Sequence, residues 1–271
     1  MLDLMLGHGA ETFSCGEVGF WYRPVQREHL RLQCSCQASP CDVWNQFLTS
    51  PEQQLHRRVS QSLSVRHVID STKRLSWVLD GNRWAALNGL LAHNVVIWKS
   101  PQLYAYSWWK RGKPIAAALD RYVRYYSRLA ETGLPCKSLS YEALVEEPES
   151  LIRALCEHLG MDYFRGKEHF WKQSAHLAFG NSGTRETLDS FQPAIRTQDV
   201  FPTAFEECYF QNLTADHLQR LRAVMTWLKQ QDVHATSDRM PQSASPPLRY
   251  PLWYYRQIWQ SRLRKWTGRL R

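Results

Sequence analysis

Two lysines and three thiols are the residues of this chain whose types and spacing suit chemistry. Val65–Asp70 is a β-branched run that reads as a strand, and it empties into Asp70-Ser71-Thr72-Lys73. Asn94–Trp98 reads as a second, buried strand and empties into Lys99-Ser100. Each exit sets a lysine beside hydroxyls, the donor set that an anion needs. Polar residues also follow strands because loops are wet, so an anion site and a solvated loop both stand at this point. The thiols of Cys34, Cys36 and Cys41 are close enough in sequence to hold zinc with a fourth ligand such as His29 or His56. Their spacing lacks paired Cys-x-x-Cys units, so reduced structural thiols without metal are the expectation and zinc is the alternative. Cys136, Cys156 and Cys208 fall within strand or helix patterns and read as core.

The elements that must position these groups alternate. Apolar residues run from Met1 to Leu6 with a lone charge at Asp3, which suits a buried helix ended by Gly7 and Gly9. Residues 10–47 read as a short strand and then loop. Thr49-Ser50-Pro51 is a cap followed by a first-turn proline, opening a helix to Leu63. Arg74 to about Leu91 reads as helix broken near Asp80-Gly81. Pro101 opens a helix to Trp109, and an amphipathic helix follows Gly112-Lys113-Pro114 to about Glu131. Cys136–Tyr141 is strand-like, Glu149–Leu159 is a helix closed by Gly160, residues 163–212 read as irregular, and Thr214 caps a helix to Gln231. Strands alternating with helices predict an α/β fold with a central parallel sheet flanked by helices. In such sheets ligands bind beyond the carboxyl ends of the strands, which is where Lys73 and Lys99 fall.

The chain has 271 residues, 44% of them hydrophobic, enough for one sizeable α/β domain. No stretch approaches the roughly 18 uninterrupted apolar residues of a membrane span. Seven cysteines, an odd count without a disulfide framework, point to a reducing cytoplasm. The tail from Arg249 holds seven basic residues and no acid, so the net charge of +9 falls to +2 for residues 1–248. The body is nearly balanced, and the charge is no argument for nucleic-acid binding. Three parts follow: a domain over 1–236, a Ser/Pro-rich linker over 237–247, and a basic aromatic tail over 248–271. Leu252, Tyr255, Trp259, Leu263, Trp266 and Leu270 recur at helical spacing in that tail, with arginines and a lysine around the remainder. Such a helix lies on an anionic membrane surface, here the inner face, or packs on its own body or a second copy through residues 249–271.

Six segments, taken in order, resemble those of the sulfotransferases of bacterial and carbohydrate type that use 3'-phosphoadenosine 5'-phosphosulfate (PAPS). They are Leu2–Gly7, Ser14–Glu17, Val68–Lys73, Val95–Ser107, Ser140–Gly160 and Phe179–Arg185. The resemblance implies a P-loop-like fold and transfer of a sulfuryl group to a hydroxyl of a carbohydrate, lipid or small molecule. It implies that Lys99 and Ser107 take the 3'-phosphate, with Arg185 as a second cation. Lys73, with Ser71 and Thr72 beside it, contacts the transferring sulfate. Glu17 is the base that takes the acceptor's proton. Lys99 stands where the family usually carries arginine, and lysine offers a point charge without the bidentate fork. The family's phosphosulfate loop, and the first strand before it, would precede Met1. That leaves two expectations: a start placed too late within a longer functional protein, or a non-catalytic relative that binds a nucleotide, a partner or a membrane surface. A kinase-like phosphotransferase has less support, because there is no Gly-Lys-Ser/Thr loop.

Overall fold

The computed structural model describes residues 1–24, 34–36, 38, 41–172, 175–177, 200–234 and 250–256. Two compact units emerge, the first from residues 1–92, 163–194 and 241–271, the second from 93–162 and 195–240. Both are mixed α/β with parallel strand pairs. The expected linker, the tail beyond residue 256, His29 and Arg185 lie outside the described residues.

The first unit opens with helix α1 (Leu2–Leu6), whose apolar Leu2, Leu4, Met5 and Leu6 are all buried around the single charge of Asp3. Strand β1 (Thr12–Ser14) follows, then α2 (Gly19–Tyr22) and α3 (Asp42–Asn45). The helix expected from Pro51 begins instead as a 3-10 turn at Glu52–Gln54 and becomes α4 over Leu55–Leu63. Ser64 closes α4 at φ 53, the left-handed conformation that turns the chain sharply into β2 (His67–Ile69). Strands β1 and β2 pair in parallel, Thr12 opposite His67 and Ser14 opposite Ile69. Parallel pairing needs a long crossover, and α2 to α4 provide it. Trp44, Phe47, Leu55, Val59, Trp77 and Trp84 form the core behind the pair with Cys15, Val18 and Cys34.

Helix α5 (Leu75–Leu87) runs without a break through Asp80-Gly81, contrary to the sequence reading. Asp80 is buried there and accepts from Arg23 at 2.6 Å and from the Tyr254 hydroxyl, so the polar pair that suggested a break is used in tertiary bonds. Tyr254 belongs to a short helical stretch over 252–256. It is buried, while Leu252 and Tyr255 of the expected apolar face are exposed. The start of the tail therefore docks through a residue outside that face.

The second unit pairs β3 (Asn94–Trp98) with β4 (Cys136–Ser140) in parallel, Asn94 opposite Cys136 and Trp98 opposite Ser140. Helices α6 (Pro101–Trp109) and α7 (Ile115–Glu131) make the crossover. The buried stripe of α7, Ile115, Ala118, Leu119, Tyr122 and Val123, repeats at three and four and faces the unit's interior. Helices α8 (Tyr141–Glu146) and α9 (Pro148–Leu159) follow β4, and Gly160 ends α9 in the left-handed conformation. Helix α10 (Thr203–Asn212) forms within the segment expected to be irregular. It forms because Phe205 and Tyr209 bury themselves, Phe205 against Tyr106 and Trp109 of α6. Helix α11 (Ala215–Gln230) is capped by Thr214, whose hydroxyl accepts from the His217 N–H at 3.1 Å. Cys136 and Cys156 are core, as their patterns suggest, but Cys208 on α10 is only half-buried. Among the described residues no helix is long and apolar enough to cross a membrane.

Candidate functional site

Because β1 and β2 run parallel, both leave the sheet at the same edge, and their ladder continues into the loops. The Cys15 N–H donates to the Ile69 carbonyl at 2.7 Å, and the Ser71 N–H to the Gly16 carbonyl at 2.9 Å. Gly16 sits at φ +58, a backbone turn that side-chain-bearing residues resist. The loops 15–17 and 70–73 are thereby held side by side, and the Lys73 ammonium donates to Glu17 Oε1. Two residues 56 positions apart meet at one strand edge. Glu17 is largely covered, while Lys73 is 68% exposed.

Two half-buried carboxylates beside this pair hold the loops. Asp3, from α1, accepts from the Ser14 hydroxyl at 3.2 Å, the Ser71 hydroxyl at 3.1 Å and the Met1 ammonium at 2.8 Å. Burial works to raise its pKa, but the ammonium, the Lys73 charge and the Ser71 hydroxyl prevail and bring it down to about 2. Asp70 accepts from Trp77 Nε1 at 2.7 Å and the Thr72 N–H at 2.8 Å, and pairs with His56 Nε2 at 3.0 Å. Burial opposes its charge, yet the His56 and Thr72 bonds hold its pKa below the ordinary value. His56, weighed as a zinc ligand, is thus engaged elsewhere. The Cys15 thiol is pushed well up by burial and by Asp70 and Asp3, so it stays protonated and is no nucleophile.

The structure turns the other two hydroxyls of this exit inward. Ser71 donates to Asp3, and the buried Thr72 Oγ1 accepts from the Gly19 N–H at 2.9 Å. A Cβ at Gly19 would stand 2.5 Å from Thr72 Cγ2 and 2.8 Å from Trp77 Cδ2, so α2 approaches this loop only because residue 19 has no side chain. Ser71 and Thr72 therefore position the edge from which Lys73 projects.

In the second unit Lys99 stands at the exit of β3, half-buried, with its Nζ 4.3 Å from the centre of the Tyr141 ring. Its backbone is fixed on both sides. Its carbonyl accepts from the Tyr122 hydroxyl at 2.9 Å, and the following Ser100 N–H donates to Glu142 Oε1 at 2.9 Å. The Ser100 hydroxyl caps α6, accepting from the Leu103 N–H at 3.3 Å. Burial pulls the Lys99 pKa down; the Glu142 carboxylate counters that, and the Lys110 and Arg111 charges add to it. Ser107, in the last turn of α6, donates its hydroxyl to the Leu103 carbonyl at 3.0 Å. Lys99 therefore sits in a positive field to which Lys110 and Arg111 contribute.

The sequence reading named Lys99 and Ser107 here; the structure adds that the Lys110 and Arg111 charges act on Lys99. Sequence reading missed Asp3 and Asp70 as the groups that hold the first edge, and no local pattern marks them. Arg185 lies outside the described residues. The chemistry open to these groups is proton acceptance at Glu17, charge stabilisation by Lys73, and attraction of an anion at Lys99.

No family model matches the sequence, and no curated protein matches it. Among solved structures the chain is similar to a sulfotransferase domain from the curacin biosynthetic pathway, at 15% identity and a TM-score of 0.47. The alignment covers 78% of this chain and 91% of that domain, and at that degree of likeness function must be argued from the side chains.

Proposed function

We propose that the chain moves a sulfuryl group from PAPS to a hydroxyl of a carbohydrate, lipid or small-molecule acceptor. The observation that carries this reading is the parallel pairing of β1 and β2, which sets the Glu17 carboxylate against the Lys73 ammonium where both strands end. Sulfuryl transfer asks for little covalent chemistry from the protein, only a proton acceptor, a cation for the leaving oxygen and anchors for the donor. The donor, when bound, supplies the sulfuryl group and a phosphate leaving group. Lys99 at the β3 exit, on which the Lys110 and Arg111 charges act, and Ser107 are assigned to its 3'-phosphate from the family resemblance. Glu17 takes the acceptor's proton as the new O–S bond forms. Lys73 leaves Glu17 for the bridging oxygen as the old S–O bond breaks and its electron pair moves to the phosphate. Ser71 and Thr72 hold the loop that aims Lys73, and Arg185 is assigned to the 3'-phosphate from the family resemblance alone.

The reading brings with it a P-loop-like parallel sheet, a cytoplasmic place of action, and a tail over 249–271 that meets the inner membrane surface or a second copy. Labelled PAPS offered with sugar, phenol and lipid acceptors tests the chemistry. Transfer should occur, and Glu17→Gln and Lys73→Ala should each lower it by about 100-fold or more. Wild-type rates in both variants would remove these roles. A chain that binds no donor nucleotide at all would favour the non-catalytic reading.

A further inference from the structure

We propose that Cys34, Cys36, Cys41 and His176 form a tetrahedral zinc site that ties the segment around residues 34–41 to the strap at 175–177. The three thiol sulfurs and one imidazole nitrogen all lie within 4.8 Å of one another. His176 Nδ1 is 3.4 Å from Cys41 Sγ and 3.7 Å from Cys34 Sγ. In a tetrahedral site with ordinary zinc–sulfur and zinc–nitrogen bonds, ligand atoms stand about 3.5–3.8 Å apart, so the cluster is already close to the size of the ion's shell.

The histidine could not be identified from sequence, because it lies 135 residues beyond Cys41. Its position is built by groups that are not ligands. Trp44 Nε1 donates to the His176 carbonyl at 2.7 Å. The Ser35 N–H donates to the Leu177 carbonyl at 3.1 Å, and the Ser35 hydroxyl accepts from the Leu177 N–H at 3.0 Å while donating to the Ala175 carbonyl. These bonds bracket His176 on both sides and aim its ring at the thiols. Oriented backbone and side-chain support of this sort is what holds a ligand set ready for metal. Trp44 and Cys34 also belong to the core of the first unit, so the site would staple its rim.

Four protein ligands leave no open coordination position, which makes the role structural. Three thiolates and an imidazole are soft and borderline donors, favouring zinc over calcium or magnesium. Binding releases the thiol protons to solvent and leaves the metal's oxidation state unchanged. The assignment is independent of the sulfuryl-transfer reading, and either can fail alone.

The test uses the full chain grown with zinc and analysed by elemental mass spectrometry, then stripped with a chelator and titrated with Co²⁺. About one zinc per chain is expected, and the Co²⁺ form should show the intense visible absorption of a tetrahedral site together with sulfur-to-cobalt charge transfer. His176→Ala and Cys36→Ser should each weaken zinc binding by at least about tenfold. Cys208→Ser, a thiol outside the cluster, should leave it unchanged. The cobalt spectrum of the wild-type chain decides the matter even if a ligand variant fails to fold. Wild-type protein that stays metal-free after growth with zinc and gives only the weak bands of six-coordinate cobalt would overturn the assignment. So would a disulfide among the three cysteines, seen as a mass lower by two hydrogens.

Discussion

Replacing Asp3 by Asn should make part of the protein's stability independent of acid. In the chain as it begins at Met1, Asp3 is tied to that residue's ammonium, to Ser14 and to Ser71, and its pKa falls from the ordinary 3.8 to about 2. A tenfold change in proton affinity is worth about 1.4 kcal/mol, so the charged form contributes about 2 kcal/mol at neutral pH. Because the folded carboxyl holds its proton more weakly than the unfolded one, this contribution is complete above about pH 4. It disappears as the pH falls through about 2. Asn keeps an acceptor oxygen for the serines but loses the charge. Urea unfolding of both proteins, followed by tryptophan fluorescence from about pH 2 to pH 7, gives the difference curve. The gap between them should grow by about 2 kcal/mol across that window. A gap that is flat with pH would refute the claim that an ionised Asp3 stabilises this edge.

Three further outcomes follow from the same geometry. Gly19→Ala should cost about 1–3 kcal/mol in denaturant unfolding, since its methyl would collide with Thr72 and Trp77; an unchanged midpoint would mean that α2 does not pack this tightly. Ser64→Gly should stabilise by about 1 kcal/mol, because Ser64 closes α4 at positive φ where glycine carries no steric cost, and a lower thermal midpoint would contradict that. Tyr254→Phe should destabilise the first unit by about 1–3 kcal/mol by leaving the buried Asp80 without one donor, and no loss would mean that residues 250–256 do not dock there.

What was legible in the sequence was local. The strand exits at Lys73 and Lys99, the Ser100-Pro101 opening of α6, the amphipathic α7, the Gly160 stop and the Thr214 cap all depend on residues within a few positions of one another. What was not legible depends on distant partners. Asp80-Gly81 looks like a break until Arg23 and Tyr254 occupy the carboxylate. Helix α10 has little periodicity of its own and is held by the aromatic faces of α6. Asp3 reads as an isolated charge in an apolar run, yet it anchors both strand exits of the first unit. The thiols were visible, but the fourth ligand was sought among nearby histidines, whereas the chain brings His176 to them and gives His56 to Asp70.

The proposed sulfuryl transfer assigns the donor's 3'-phosphate to Lys99 at the β3 exit. Calorimetric titration with 3'-phosphoadenosine 5'-phosphate and with 5'-AMP, which differ in that phosphate alone, measures it directly. Charge-assisted hydrogen bonds contribute about 1.5–3 kcal/mol each, so the bisphosphate should bind at least about tenfold more tightly than 5'-AMP. Lys99→Ala should erase most of that preference. Equal affinity for the two nucleotides, or binding of neither, would remove Lys99 from that role.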